Sequence, residues 1–364
     1  MILATAIQSC NTPDAGLIGR AVCLALEKAG LDRANGVLLF MTPEFSRHAR
    51  DAVMAAARAA QCAPVFGGIA SGVLTEEGWT LDRPAAAVMI FGGRAFLRPP
   101  EPGNPNPVLC YSGGETFPEE WVSSSAHREK KHFGCIFSGN FSETSAFASA
   151  WQSGHLAFPP HCCAQFGDAP LTLGVSFGLH LPGVPMRIES GAGYRVGKLD
   201  GRTAIDSLLQ LFPERPPLHR LMALVAKNAA DLDTFPDSDH QTLPLVSLDA
   251  DGSIALAGEI APGNYLRWAT RDPPTAQKDM SRVVERLARQ RPDPVAAMMF
   301  SCVGRGPFFY GADDIDLTIL RRRFPKIPII GCYGTGQIVP VSRAGNRQCS
   351  RNAVVAALLG AAGT

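Results

Sequence analysis

Leu17, Ile18, Ala21, Val22, Leu24 and Leu26 recur at the spacing of one helical face, and the run stops at Gly30, which predicts a helix over 16–29. Val37-Leu38-Leu39-Phe40 follows between Gly36 and Pro43, a short apolar run of the kind that forms a buried strand. The Ala-rich stretch 50–60 favours helix, Pro64-Val65-Phe66-Gly67 opens a second strand running on to Leu74, and 85–91 reads as a third. The same order returns near the C-terminus: a strand over 295–300, a helix over 313–324, a strand from Pro328 to Gly331, and another over 353–359. The segment 331–338 parallels 67–73, so Val37 to Phe91 and Val295 to Leu359 form a weak internal repeat, with Gly67 matched to Gly331 and Gly72 to Gly336.

Between these halves the pattern loosens. Five prolines in 99–107 mark a loop. The stretch 133–137 reads as a strand, 142–152 as a helix and 171–181 as a strand, and 187–199 reads as a hairpin edge leading into a helix over 204–211. Three prolines in 212–217 give the best boundary, dividing the chain into 1–212 and 213–364. Beyond it, 243–248, 253–260 and 265–269, separated by Asp251-Gly252 and Pro262-Gly263, read as an antiparallel meander. The expected fold class is α/β, with two related layered strand-helix halves and an antiparallel meander opening the C-terminal one.

Composition changes this picture little. With 46% hydrophobic and 18% charged residues over 364 positions, the chain can bury enough apolar surface to fold, and its length points to two domains. A net charge of +1 supplies no global field for nucleic acid. Ten cysteines without a C-x-x-C pair read as reduced thiols. The N-terminus lacks a basic leader, and no apolar run approaches the roughly 18 residues a membrane span needs, so the expectation is a cytoplasmic protein without membrane insertion.

The densest chemistry is Ser301-Cys302-Val303-Gly304-Arg305-Gly306-Pro307, directly after a buried strand, where α/β proteins place ligands. Asp313 or Asp314 caps the following helix and, with Asp316, makes its first turn acidic, which disfavours phosphate and leaves a carboxylate, amine or amino-acid-like ligand ahead of a nucleotide. Two readings of Arg305 stay open: a fork for that ligand, or a partner for one of these aspartates. Cys302 is either a nucleophile activated near Arg305 or a packing residue. His155 with His161-Cys162-Cys163 is a soft-ligand cluster of the kind that holds a metal or haem iron, but it lacks zinc spacing, and the reading preferred over a metal site is a neutral surface loop. Gly174-Val175-Ser176-Phe177-Gly178 has the nucleophile-elbow pattern without the helix that must follow it, so it reads as chance. Gly331-Cys332-Tyr333-Gly334-Thr335-Gly336 runs into a strand and fails as a dinucleotide loop.

Phe300 to Arg305, the acidic helix through Arg321-Arg322-Arg323-Phe324, and Pro328 to Ile338 together resemble the C-terminal part of the FIST domain. Asp251-Gly252-Ser253-Ile254 with Gly258-Glu259-Ile260 resembles its opening strands, and Pro64 to Gly68 with Lys198 to Ala204 resembles the N-terminal FIST part. The resemblance implies an α/β sensory and signal-transduction domain for small molecules such as amino acids. Some similar proteins bind haem and respond to nitric oxide, and others recruit proteins beside an F-box. The candidate ligand contacts are Cys302, Gly304, Arg305, Gly306, Tyr333, Gly334, Thr335 and Gln337, with Gly68 and Ser71 in the N-terminal counterpart. Gln337 stands where relatives commonly carry Glu, and 97–185 departs from the family pattern. No kinase, cyclase, F-box or methyl-accepting segment is found, so the expected partner is a separate output protein. The alternatives are a haem-based gas sensor and a small-molecule enzyme using Cys302.

Overall fold

The computed structural model describes residues 1–113, 130–138, 149–167, 169–236, 238, 240–340, 348–350 and 352–361. The chain forms two compact units: one built from both ends, Met1–Ser176 with Met280–Pro340 and Gly345–Thr364, and one from Phe177–Asp279. These units do not coincide with the 1–212 and 213–364 parts, because the first collects strands from both ends of the chain, and the Pro-rich run 212–217 lies inside the second.

Among the described residues the first unit holds three sheets of one design. In the first sheet, β1 (Ile2–Ser9), β6 (Ala85–Gly92), β2 (Gly36–Met41) and β3 (Val65–Ile69) lie in that order, the last two parallel. The second repeats it with β12 (Leu171–Ser176), β25 (Val354–Leu359), β21 (Ala296–Cys302) and β22 (Ile329–Gly334). The third has β11 (His161–Ala164), β7 (Val108–Ser112) and β8 (His132–Ile136), its outermost strand reduced to a bridge between Arg98 and Gln165. The internal repeat expected for 37–91 and 295–359 is therefore present, and a third copy joins it.

Each copy then sends a hairpin to edge the next sheet. After β3, β4 (Gly72–Thr75) and β5 (Gly78–Thr80) pair onto β22; after β22, β23 (Gly336–Val339) and β24 (Gln348–Ser350) pair onto β8; and β9 (Ala150–Gln152) with β10 (His155–Leu156) pairs onto β3. The strand expected to run unbroken from Pro64 to Leu74 is thus two strands in different sheets, broken where the Ser71 amide donates to the Tyr333 carbonyl at 2.8 Å. The helix expected over 142–152 falls on residues outside the described set up to 148, and its end is β9.

One glycine per copy makes the parallel pairing possible. Gly67 faces Leu39, Gly331 faces Met299 and Gly134 faces Cys110. A Cβ at any of the three would overlap the carbonyl oxygen of the residue it faces. The next position along each pair turns an aromatic inward: Phe40, Phe300 and Tyr111, with Phe40 and Phe300 rings 5.8 Å apart and Phe40 and Tyr111 6.4 Å apart. On the outer faces, α1 (Ala15–Ala29) and α2 (Ala49–Ala60) cover the first sheet. The α1 helix ends at Gly30 in the left-handed region, φ 63°, as its sequence pattern predicts.

The second unit is a closed antiparallel ring. β20 (Tyr265–Arg271), β14 (Met186–Ala192), β15 (Arg195–Leu199), β19 (Ile254–Leu256), β18 (Gln241–Leu248) and β17 (Leu221–Ala226) pair in turn, and β17 pairs back onto β20. The antiparallel strands expected over 243–269 are there, and closure has β20 pair with β17 and β14. Ile188, Val196, Ala223, Leu245 and Trp268 fill the interior. At one end α3 (Ala204–Leu211) packs against it, Trp268 Nε1 donating to Ser207 Oγ at 3.0 Å. Outside, α4 (Ala229–Asp233) sets Leu232 against Met222 and Ala269, and β13 (Leu179–His180) extends β20. The helix α5 (Pro273–Gln290) follows β20, and from Met280 the chain belongs to the first unit; there Met280, Val283, Val284 and Leu287 pack with Leu317 and Leu320 of α7 (Ile315–Arg323), which comes after the one-turn α6 (Pro307–Tyr310), on Ala297, Met299 and Ile329. Among the described residues no helix is long and apolar enough to cross a membrane.

Candidate functional site

The carboxyl ends of the parallel strands carry the residues singled out by sequence. Ser71 follows β3, Thr335 follows β22, and Ser138 holds the matching place after β8. All three are half-buried while the strands before them are buried throughout. The chain is knitted together here: Thr335 N donates to the Ile136 carbonyl at 2.9 Å, as Ser71 N does to Tyr333. Ser138 N donates to Thr335 Oγ1 at 2.9 Å, and the two hydroxyls lie 2.8 Å apart. Cys302, 4% exposed at the end of β21, sets its Sγ 4.0 Å from the Thr335 carbonyl.

Two glycines of the motif exist for packing. A Cβ on Gly334 would overlap Cys135 Sγ, and one on Gly68 would overlap the Tyr111 ring, whose hydroxyl donates to the Ile69 carbonyl. Gln337 faces Cys135 directly in the antiparallel ladder, so the two share the inner face. It is fully buried, and neither Oε1 nor Nε2 has a hydrogen-bond partner among the described residues. A buried amide left unpaired costs about 1–3 kcal/mol, so this position marks a place where a polar partner would be welcome.

Arg305 sits one step outside this cluster, in a 3-10 turn (Val303–Arg305) that includes Gly304. Its guanidinium is 2% exposed. Nε donates to Asp316 Oδ2 at 3.0 Å and Nη2 to Asp316 Oδ1 at 3.1 Å; Nη1 donates to the Ser176 carbonyl at 3.0 Å and Nη2 to Ser176 Oγ at 2.7 Å. Burial would lower its pKa, but the Asp316 carboxylate and Tyr310 outweigh burial and hold it above its ordinary value. Of the two sequence readings, the geometry realises the pairing with an aspartate. Gly306 allows close approach, since a Cβ there would lie 3.2 Å from the Tyr333 ring. The residues with the nucleophile-elbow pattern, read from the sequence as a chance match, serve this network instead: Ser176 ends β12 and accepts from Arg305, and the next element is the strand Leu179–His180.

Asp314 is the N-cap of α7, accepting from Leu317 N at 2.8 Å, and its other oxygen accepts from the Tyr333 hydroxyl. Burial, reinforced by Asp316 nearby, pushes its carboxyl up to about 6. The segment expected as a surface loop is instead a strand: His161 to Ala164 form β11, and strand alternation splits the soft-ligand cluster, with Cys162 and Cys163 both buried and on opposite faces. Burial raises the Cys162 thiol to about 12. Among the described residues no group of three His, Cys, Asp or Glu could hold a metal ion.

The structure therefore brings Ser71, Cys302, Tyr333, Gly334, Thr335 and Gln337 together, keeps Gly68 in the inner packing, and commits Arg305 to Asp316. Ser138 was missed. Its signal was present in Phe133-Gly134 followed by Ser138-Gly139, which echoes Phe66-Gly67 followed by Ser71-Gly72 and Ile330-Gly331 followed by Thr335-Gly336.

Residues 204–340 match the FIST C domain. An uncharacterized protein of Mycobacterium tuberculosis is 30% identical over 148 residues, 35% of this chain and 39% of its own length. An uncharacterized protein of Mycobacterium bovis is 28% identical over 179 residues, 46% and 45% of the two chains. F-box only protein 22 of Homo sapiens is 24% identical over 161 residues, 42% and 36%. The matched stretch spans less than half of each of these relatives.

Proposed function

Taking the FIST C domain over residues 204–340 as premise, we propose that this chain is a small-molecule-binding sensory protein whose ligand state is read by a separate partner protein. The ligand is a polar molecule of amino-acid size held by the hydroxyls of Ser71, Ser138 and Thr335, with Cys302 and the amide of Gln337 beside them. One observation carries the reading: three copies of one strand pair place half-buried hydroxyls at matching carboxyl ends, next to a buried amide that has no hydrogen-bond partner among the described residues. With the Arg305 charge already engaged by Asp316, recognition falls to hydroxyl and amide groups, which suit a zwitterion or neutral polar ligand better than a bare anion.

A thermal-shift screen of the twenty amino acids and short carboxylates, followed by calorimetry on each hit, tests this. The expected result is a one-to-one ligand whose affinity falls about ten- to hundredfold in Ser138→Ala/Thr335→Val with melting temperature held within a few degrees. A hit whose affinity that variant leaves unchanged would place the ligand elsewhere.

A further inference from the structure

We infer that the barrel unit carries a second binding site, for an organic anion with an apolar body. A cleft of about 540 Å³ opens at the end of the barrel beside the Pro-rich run and the end of β20. Its size falls within the roughly 300–1,000 Å³ of ordinary small-molecule sites. Three guanidiniums, those of Arg215, Arg220 and Arg271, and the imidazole of His180 line it, against the carboxylates of Glu214 and Asp272. Three guanidiniums against two carboxylates leave the cleft with an excess of positive charge. Asp272 keeps its charge but is held in place as the cap of α5, its Oδ1 accepting from Thr275 N at 2.9 Å and its Oδ2 from Thr275 Oγ1 at 2.8 Å.

The basic groups sit on a stiff frame. Arg271 is anchored where its Nε donates to the His219 carbonyl at 3.0 Å. Arg215 holds a left-handed backbone, φ 49°, between Pro213 and Pro216, with its amide donating to the Phe212 carbonyl at 3.1 Å. Proline rings fix their own φ, so the rim loses little conformational entropy when a ligand arrives. The remaining wall is apolar, from Leu211, Phe212 and the proline rings. Planar guanidiniums match the two oxygens of a carboxylate or phosphate, and an apolar wall matches a ring or short chain behind that headgroup. The hydroxyl cluster of the first unit has no part in this site, so the inference stands apart from the proposed ligand there.

Calorimetry with phenyl phosphate and phenylacetate tests it, with benzyl alcohol as the uncharged comparator. Saturable binding of either anion is expected, with benzyl alcohol weaker by about tenfold or more, and the two anions separate phosphate from carboxylate preference. Arg215 and Arg220 are solvent-exposed, so Arg215→Gln/Arg220→Gln should keep the wild-type melting temperature while weakening the anion about tenfold or more. Ser138→Ala should leave this affinity unchanged. The inference fails if neither anion saturates by about 10 mM, if benzyl alcohol binds equally well, or if the double variant binds as the wild type does.

Discussion

Phe45 and Arg305 hold the same place in two copies of one unit. Each lies six residues beyond the position that faces the conserved-geometry glycine, Leu39 in one copy and Met299 in the other, and each is buried within a 3-10 turn. The first copy fills that place with an apolar ring, fully buried. The second fills it with a guanidinium and supplies Asp316, Ser176 and Tyr310 around the resulting pair. Backbone geometry thus fixes what must be occupied, while the occupant is free to be a hydrocarbon or a neutralised charge. An arginine after a buried strand, flanked by glycines, is for that reason an ambiguous sign of a ligand.

The sharpest way to break the three-copy comparison is to place a methyl at its shared glycine. Gly67→Ala, Gly331→Ala and Gly134→Ala should each cost about 3 kcal/mol or more, seen as lost soluble yield or a collapsed urea midpoint, because each Cβ meets backbone that cannot yield. A benign Gly134→Ala beside two severe partners would remove the third sheet from the set.

Next in size is the contrast between Phe45 and Arg305 itself. Arg305→Met should cost about 3–5 kcal/mol in urea denaturation by stranding the Asp316 carboxylate, and Arg305→Met/Asp316→Leu should recover most of that loss. If the double variant is no better than the single one, the pair is not what the position requires.

A smaller effect separates the helices that follow. Among the described residues no side chain caps α2, whereas Asp314 caps α7. Its carboxyl rises from 3.8 unfolded to about 6 folded, so the native state binds the proton more tightly. That stabilisation is full below about pH 4 and is lost as pH rises through about 6, on the order of 3 kcal/mol. Asp314→Asn keeps the cap and should flatten this part of the stability profile relative to wild type across that window. Parallel profiles would contradict the assignment.

The smallest test makes the third copy resemble the others. Tyr111→Phe gives it the ring of Phe40 and Phe300 and removes only the hydroxyl bond to the Ile69 carbonyl, so about 1 kcal/mol of stability should go, measured by thermal denaturation.

How much was legible follows the same division. Strands such as Gly36–Met41 and Ala296–Cys302 are buried on both faces and show as continuous apolar runs between turn signals, so two copies stood out in the sequence. The third did not: Val108–Ser112 and His132–Ile136 carry Cys, Tyr, Ser and His, and no proline opens β8 as Pro64 and Pro328 open theirs. Barrel closure was invisible because β17 and β20 meet across some forty residues, and pairing at that distance leaves no local pattern. At the site, Cys302, Thr335 and Ser71 were readable from their place after strands. The burial of Arg305 was not, since its partner Ser176 lies 129 positions away.

The most direct test of the central claim, that the matching hydroxyls form a ligand site, is native mass spectrometry of protein purified without denaturation, wild type beside Ser138→Ala/Thr335→Val. The account predicts a polar adduct of amino-acid size on the wild type at one per chain, absent from the variant although the variant melts normally. A wild type without any adduct after exposure to the amino-acid panel, or a variant that keeps the same adduct at the same occupancy, would contradict it.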